Sequence, residues 1–316
     1  MERLAPNNKV CGVGVRNARS GGDYRVLYAV MQAVSTLARR LPRGLSLLLA
    51  NAFANTVYFL YRLTPYRSYI SGNVRKALNE KGEKIFSPSQ SRRIARSSVV
   101  NLVRGIVEVM RFPNRESGKI VSIEGMEHLE AALAKGRGAL AVSAHFGNWE
   151  LLGAAISEQG HPLSVLVQPP SKSAFERLFI EFRASAGVKT LANHGVASLR
   201  PVFKALQRNE LVGLICDQHG ENLDAFGRLF GHPVSIPASP YSLSKKTGAT
   251  ILPMFIFRQK GDRHLLRISP PLEADSPDDF ARKLCRFYEA AILERPEQWL
   301  WAHDRWAREK EFRGPE

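Results

Sequence analysis

His145 and Glu150 stand five residues apart in the run His145-Phe-Gly-Asn-Trp-Glu150, and both side chains are of kinds that move protons. A carboxylate on one ring nitrogen of an imidazole fixes its tautomer and raises the basicity of the other nitrogen, readying it to take a proton from an alcohol. Five residues is about 140° round a regular helix, so the pair shares no face if the whole segment is helical. Gly147 and Asn148 suggest another arrangement. If His145 ends a strand, Phe146 to Asn148 form a turn and Trp149-Glu150 open a helix running to Gln159, the carboxylate can fold back to the imidazole, with Asn148 as N-cap. An isolated H-x4-E reads most simply as a core histidine with a chance acid nearby; the surrounding residues change that balance.

Those residues must be held by a sheet. Beyond Lys119 short β-rich runs at 138–144, 163–168, 211–216 and 250–257 alternate with helical segments, and a last strand candidate lies at 264–269. Such alternation predicts an α/β fold with a mainly parallel sheet flanked by helices. Ligands of open α/β sheets bind at the carboxyl ends of strands. The first run ends in His145 to Glu150, the second in Gln168, the third in Asp217-Gln218-His219, so three strand ends deliver polar groups to one edge. A helix from Asp278 to Leu293 and a tail with Trp299, Trp301 and Trp306 follow; the tryptophans suit either core or a membrane interface.

The N-terminal third has a different character. Residues 1–24 lack periodicity and read as a mobile tail. Apolar helices follow over 25–66: a run from Arg25 to Arg40, a break at Pro42, then eighteen uncharged residues from Gly44 to Tyr61, close to the minimum for spanning a bilayer. The first has no convincing small-residue cleavage site. Asn51 and Asn55 share one helical face, which should therefore meet protein or head groups; a buried domain helix and a membrane-embedded hairpin both remain open. Helices are expected at 66–81 and 89–110, the latter after a Ser87-Pro88-Ser89 turn.

The chain of 316 residues carries 45 Lys+Arg against 29 Asp+Glu, a formal charge of +16, and between Arg39 and Lys119 sixteen basic residues face four acidic ones. An anionic partner follows. Basic residues interleaved with apolar helical runs favour an anionic membrane surface over nucleic acid, for which zinc-finger spacing, RNA-binding strand motifs and a basic-region zipper are all missing. Three scattered cysteines, Cys11, Cys216 and Cys285, give neither a disulfide framework nor a paired zinc motif, and fit a reducing, cytoplasmic setting. Cys216, Asp217 and His219 invite a metal reading, but strand neighbours point to opposite faces and no fourth ligand is evident, so no metal is expected.

The run AHFGNWELLG (Ala144–Gly153) resembles the catalytic block of the bacterial lipid A late acyltransferases, the lauroyl and myristoyl transferases, within the wider H-x4-D/E lysophospholipid acyltransferase group. FRASAGVKTL (Phe182–Leu191), LVGLICDQHG (Leu211–Gly220), the stretch Leu229–Met254 and RPEQWLWAHDRW (Arg295–Trp306) follow in that family's order. The likeness runs from about Leu41 to Trp306. It departs from the family at His219 and the following AFGRLFG run, and at Asp304, where a second basic residue is common; these positions bear on the acceptor more than on the chemistry.

The resemblance implies an acyltransferase domain over 67–308, N-terminal membrane-contacting helices, and a short C-terminal tail at 309–316. It implies an acyl-carrier-protein thioester as donor, a hydroxyl of a membrane lipid, first of all a lipid A precursor, as acceptor, no cofactor, and a site at the inner membrane facing the cytoplasm. His145 corresponds to the general base and Glu150 to its partner. Arg183, or backbone N–H groups of the turn through Gly147 and Asn148, would hold the oxyanion, with Arg183 also suited to an acceptor phosphate; Asp217 and Gln218 would shape the site. Another glycolipid or lysophospholipid as acceptor, a thioesterase or lipid hydrolase using the same pair, and a non-catalytic basic membrane-binding protein are the alternatives.

Overall fold

The computed structural model describes residues 21–77, 85–167, 173–192, 199–218 and 225–306. Four helices come first: α1 (Gly21–Arg40), α2 (Arg43–Arg62), α3 (Tyr69–Lys76) and α4 (Pro88–Met110). Pro42 separates the first two, and the Thr64-Pro65 turn delays α3, which begins three residues later than the expected 66; the expected end at 81 lies outside the described residues. The serine turn before α4 is a full capping box, in which the Ser87 side chain accepts from Gln90 N–H and Gln90 returns to Ser87 N–H. The expected mobile tail falls mainly on residues 1–20, which lie outside the described residues, as does 309–316.

α2 lies along α4. Leu47, Ala50, Ala54 and Tyr58 recur at helical spacing and are buried there. On the Asn51/Asn55 face, expected to meet protein or head groups, Arg96 Nε of α4 donates to Asn55 Oδ1 at 2.9 Å, and Asn55 donates to Asn51 O of its own helix at 2.8 Å. The opposite face is bare. Among the described residues, all the exposed large apolar side chains except Phe175, Phe226 and Leu293 lie between Val26 and Tyr69. α2 is long and apolar enough to cross a membrane by length and composition.

The α/β part continues with α5 (Ser117–Ile120), β1 (Val121–Glu124), α6 (Met126–Leu133), β2 (Ala139–Ser143), α7 (Trp149–Glu158), β3 (Leu163–Val167), α8 (Ala174–Ser185), β4 (Val188–Ala192), α9 (Leu199–Gln207) and β5 (Leu211–Ile215). A hairpin of β6 (Phe226–Leu229) and β7 (His232–Ser235), then α10 (Ser239–Thr247), β8 (Thr250–Arg258), β9 (His264–Ile268) and α11 (Pro277–Glu294) complete it. Seven strands form one sheet in the order β1-β9-β8-β2-β5-β3-β4, parallel at every pairing except β8 with β9. Both faces are covered, as a parallel sheet requires. Along β2, Leu140 and Val142 enter one apolar cluster with α9, α10 and α11, while Ala139 and Ala141 enter the other with α6, α7 and α8. The tail tryptophans are core: Trp299, Trp301 and Trp306 are 3%, 0% and 2% exposed and contact one another edge-on or tilted.

The connection from β2 leads across β5 to β3, whereas the chain leaving β5 returns past β2 to β8. β2 and β5 are therefore neighbours whose connections diverge, the place where open α/β sheets leave a crevice at their carboxyl ends.

Candidate active site

The turn after β2 is built for closeness. Gly147 has φ +62°, and a Cβ there would stand 1.8 Å from Ile256 O, so no other residue fits without displacing β8. Asn148 caps α7, its Oδ1 accepting from Leu151 N–H at 3.1 Å, as the sequence leads one to expect. His145 thus leaves the strand end and Glu150 enters from the first turn of the helix.

The carboxylate on the His145 ring, however, is Asp217 and not Glu150. Asp217 Oδ1 lies 2.7 Å from His145 Nδ1, and Oδ2 accepts from His145 N–H at 3.0 Å and from Trp299 Nε1 at 2.8 Å. The cause is register. Parallel pairing sets Ser143 of β2 opposite Ile215 of β5, so the residues two beyond each partner, His145 and Asp217, emerge side by side. An ionised carboxylate can only accept, so Nδ1 carries the hydrogen and Nε2 is left as the basic nitrogen. The ring also meets Trp149, edge-on with centroids 5.0 Å apart, and the His145 backbone is held by Leu300 N–H donating to His145 O at 3.0 Å.

Burial disfavours the imidazolium, but the charge of Asp217, its hydrogen bond and, less strongly, the charge of Glu150 outweigh it, and His145 is raised above the usual histidine range. For Asp217 burial likewise opposes the charged form, and His145 together with the Trp299 N–H more than offsets it, holding the acid below the usual carboxylate range. Both directions agree on an ion-pair-like dyad. Cys216, beside it and buried, has its thiol pushed well up by burial and the Asp217 charge, which leaves it an inert core thiol. Among the described residues no three His, Cys, Asp or Glu side chains converge as metal ligands; His219 lies outside them.

Glu150 has a different partner. Arg183 Nε donates to Glu150 Oε2 at 2.7 Å and Nη2 donates to Oε1, a two-point fork between α8 and α7 with both side chains largely buried. Arg183 is therefore no surface helix residue. The backbone donors expected in the turn are mostly engaged: Phe146 N–H donates to Ala144 O at 2.7 Å and Gly147 N–H to Gln298 O at 2.8 Å. Asn148, 3% exposed, also gives its side-chain donor away, to Glu108 Oε2 at 2.9 Å. The Gly147 N–H and the Asn148 side-chain amide are thus each paired within the protein. Gln218 follows Asp217 half-buried, and Gln168 lies outside the described residues.

Beside these groups a cavity of about 580 Å³, its open mouth included, is lined by Trp149, Glu150 and Arg183 and, along the sheet, by apolar side chains such as Leu163, Val165 and Leu214. Gly153 and Gly213 leave it room: a Cβ on Gly213 would come within 3.2 Å of Val165, one on Gly153 within 3.3 Å of Leu163. His145 does not line this cavity but contacts it through the Trp149 ring, and a largely apolar slot with Glu150 and Arg183 on its wall suits a substrate with a long hydrocarbon part and one polar centre.

The sequence alone pairs His145 with the nearest acid along the chain. The signal that identifies Asp217 is the equal overhang of two strands, which needs the register of a pairing 72 residues apart.

The model of the bacterial lipid A biosynthesis acyltransferases matches residues 28–308. Among curated relatives, a phosphatidylinositol mannoside acyltransferase of Mycolicibacterium smegmatis is 27% identical over 222 residues, which is 67% of this chain and 72% of that protein. A lipid A biosynthesis palmitoleoyltransferase of Escherichia coli is 26% identical over 61% of this chain and 64% of its own length, and a lauroyltransferase of the same organism is 27% identical over the same shares.

Proposed function

Because the chain belongs to the bacterial lipid A biosynthesis acyltransferase family, and is thereby an acyltransferase, we propose that it moves a fatty acyl group from an acyl-carrier-protein thioester to a hydroxyl of a membrane glycolipid. The observation that carries the chemistry is the His145–Asp217 dyad beside an apolar cavity at the β2/β5 crevice. His145 Nε2 takes the hydroxyl proton as the oxygen attacks the thioester carbonyl carbon. The new C–O bond creates a tetrahedral oxyanion, and Asp217 stabilises the imidazolium formed at that moment. The intermediate collapses, the C–S bond breaks, and the carrier thiol leaves with the proton from His145. Arg183, held in place by Glu150, supplies the positive charge for the oxyanion, a task the paired N–H groups of Phe146 and Gly147 do not serve. The acyl chain occupies the cavity between α7 and the sheet.

The membrane meets the bare face of α1 and α2. α2 is tied to α4 at both ends, by Arg43 to Glu108 and by Tyr58 to the backbone of Arg92, and α4 exposes Arg92, Arg93 and Arg96 beside it. Charged neighbours of that kind do not enter hydrocarbon, so α2 lies along the interface with its apolar side in the acyl chains and the arginines at anionic head groups. Use of an acyl-carrier-protein donor places the site on the cytoplasmic face of the inner membrane.

For the acceptor, a lipid A precursor and a phosphatidylinositol mannoside are the two choices that the relatives' names raise. Purified enzyme offered acyl-carrier-protein thioester and each acceptor in turn, with products read by mass spectrometry, decides between them. His145→Ala should lower kcat on the order of ten-thousandfold while the protein stays folded. Free fatty acid released equally with and without acceptor would show a hydrolase instead.

A further inference from the structure

Behind the turn that carries His145 lies a charged cluster that the reaction above does not use. Glu108, near the end of α4, has a side chain with no exposed surface. Arg258 of β8 forks onto it, Nη1 to Oε1 at 2.6 Å and Nη2 to Oε2 at 2.8 Å; Arg43 of α2 donates to Oε1 at 2.7 Å and His264 Nε2 to Oε1 at 3.1 Å. The fourth partner is Asn148, whose Nδ2 donates the fifth bond, to Oε2 at 2.9 Å. Burial opposes the Glu108 charge, but Arg258 and His264 overcome it and the carboxyl is held well below its usual range. His264, lowered chiefly by its own burial, is neutral at physiological pH.

The bonds close a ring through the catalytic turn. Asn101 Nδ2 donates to Gly147 O at 3.3 Å, and its Oδ1 accepts from Arg258 Nε at 3.0 Å. Gln298, whose backbone oxygen takes the Gly147 N–H, grips the Arg258 backbone on both sides: its Oε1 accepts from Arg258 N–H at 2.7 Å and its Nε2 donates to Arg258 O at 2.9 Å. Starting at Glu108 one passes to Asn148, along the backbone to Gly147, to Asn101, to Arg258 and back.

We propose that Glu108 is a positioning residue for acyl transfer, fixing through Asn148 the turn that sets His145 against Glu150 and Arg183. The proposal rests on the reading of His145 as the base. Two features argue for positioning over plain stability. A buried ion cluster is seldom more stabilising than an apolar replacement of equal volume. And capping α7 needs only a side-chain acceptor, which Ser or Asp supplies as well as Asn; the amide donor that distinguishes Asn is spent on Glu108. A reacting geometry misplaced by about 1 Å loses on the order of a hundredfold in rate, so a turn clamped at both Gly147 and Asn148 has an evident use.

The test is Asn148→Ser, which keeps an oxygen for Leu151 N–H and removes the tie to Glu108, made alone, with Glu108→Gln, and beside His145→Ala. Expected for Asn148→Ser is a fall in kcat on the order of tenfold per folded enzyme, with KM for donor and acceptor, melting temperature and the acid limb of the pH profile unchanged. Glu108→Gln should lose a similar factor in kcat, and the double variant no more than the worse single one, because both cut the same link. Should Glu108→Gln yield no folded protein, the same coupling is read between Asn148→Ser and Asn101→Ala, which leave the ion pair intact. A wild-type kcat in Asn148→Ser, or losses that simply multiply, overturns the proposal. Undiminished transfer by His145→Ala overturns the underlying reading instead, whatever Asn148→Ser does.

Discussion

Two regions of this molecule treat their surroundings in opposite ways. The turn between β2 and α7 is buried and paired on nearly every side: Phe146, Gly147 and Asn148 each give a donor to a named acceptor, and the clamp behind them is ionic. The helix pair α1–α2 leaves a row of leucines, valines and phenylalanines in the open, Leu48 62% and Phe53 63% exposed. On the proposed mechanism the first region is over-determined because atoms must sit within fractions of an ångström for a proton to move. The second is, on the proposed reading, under-covered because its complement is a fluid lipid surface, which requires apolar area and charge but no fixed geometry. Chemistry and location are thus carried by different physical means, joined where Arg43 at the start of α2 reaches Glu108.

Substitution should separate the two. In the clamped region, Arg183→Lys exchanges a planar fork for a point charge, and kcat should fall on the order of a hundredfold with membrane binding untouched. Thioester hydrolysis without acceptor should fall in parallel; a rise in acceptor KM alone would assign Arg183 to an acceptor phosphate. In the open region, Leu48→Ser with Phe53→Ser removes about 1 kcal/mol of burial at each half-exposed position. Partition into anionic vesicles should drop about thirtyfold with no change in kcat once the enzyme is lipid-bound, and wild-type binding should weaken with salt. The smallest effect is expected inside the cavity. Gly213→Ala places a methyl within reach of Val165 and Leu163 and should shift donor preference severalfold toward shorter acyl chains at nearly unchanged rate on the short donor. An unaltered chain-length profile would put the acyl group elsewhere.

The same contrast explains what sequence made legible. Strands β2, β3, β5, β8 and β9 stand out as apolar runs, and the Asn148 cap, the serine turn before α4 and the apolar character of the first helices follow from local patterns. β1 and β4, Val121–Glu124 and Val188–Ala192, escape notice because each is short and mixes polar with apolar residues, its pairing supplied by a neighbouring strand. The β6–β7 hairpin carries Pro233 and stands apart from the main sheet. His145, Glu150, Arg183 and Asp217 can be picked out from the sequence as candidates, but their pairing cannot: His145 to Asp217 and Glu150 to Arg183 depend on strand register and on the packing of α8 beside α7, both long-range. Nor was the Glu108 clamp legible, since its partners come from α2, α4, β8, β9 and the catalytic turn.

The assignment of Asp217 as the carboxylate that serves His145 is tested most directly by comparing the pH dependence of kcat/KM in Asp217→Asn and Glu150→Gln. His145 must be neutral to act, and its pKa is raised, so wild-type activity falls as pH drops through a value above that of an ordinary histidine. Removing the Asp217 charge leaves burial opposed only by the weaker pull of the Glu150 charge, which favours the neutral ring. The acid limb should move to lower pH while the plateau drops on the order of a thousandfold or more, for want of support to the imidazolium. Glu150→Gln should lower the plateau through Arg183 and move the limb far less. A limb that shifts with Glu150→Gln and stays put in Asp217→Asn would contradict the account.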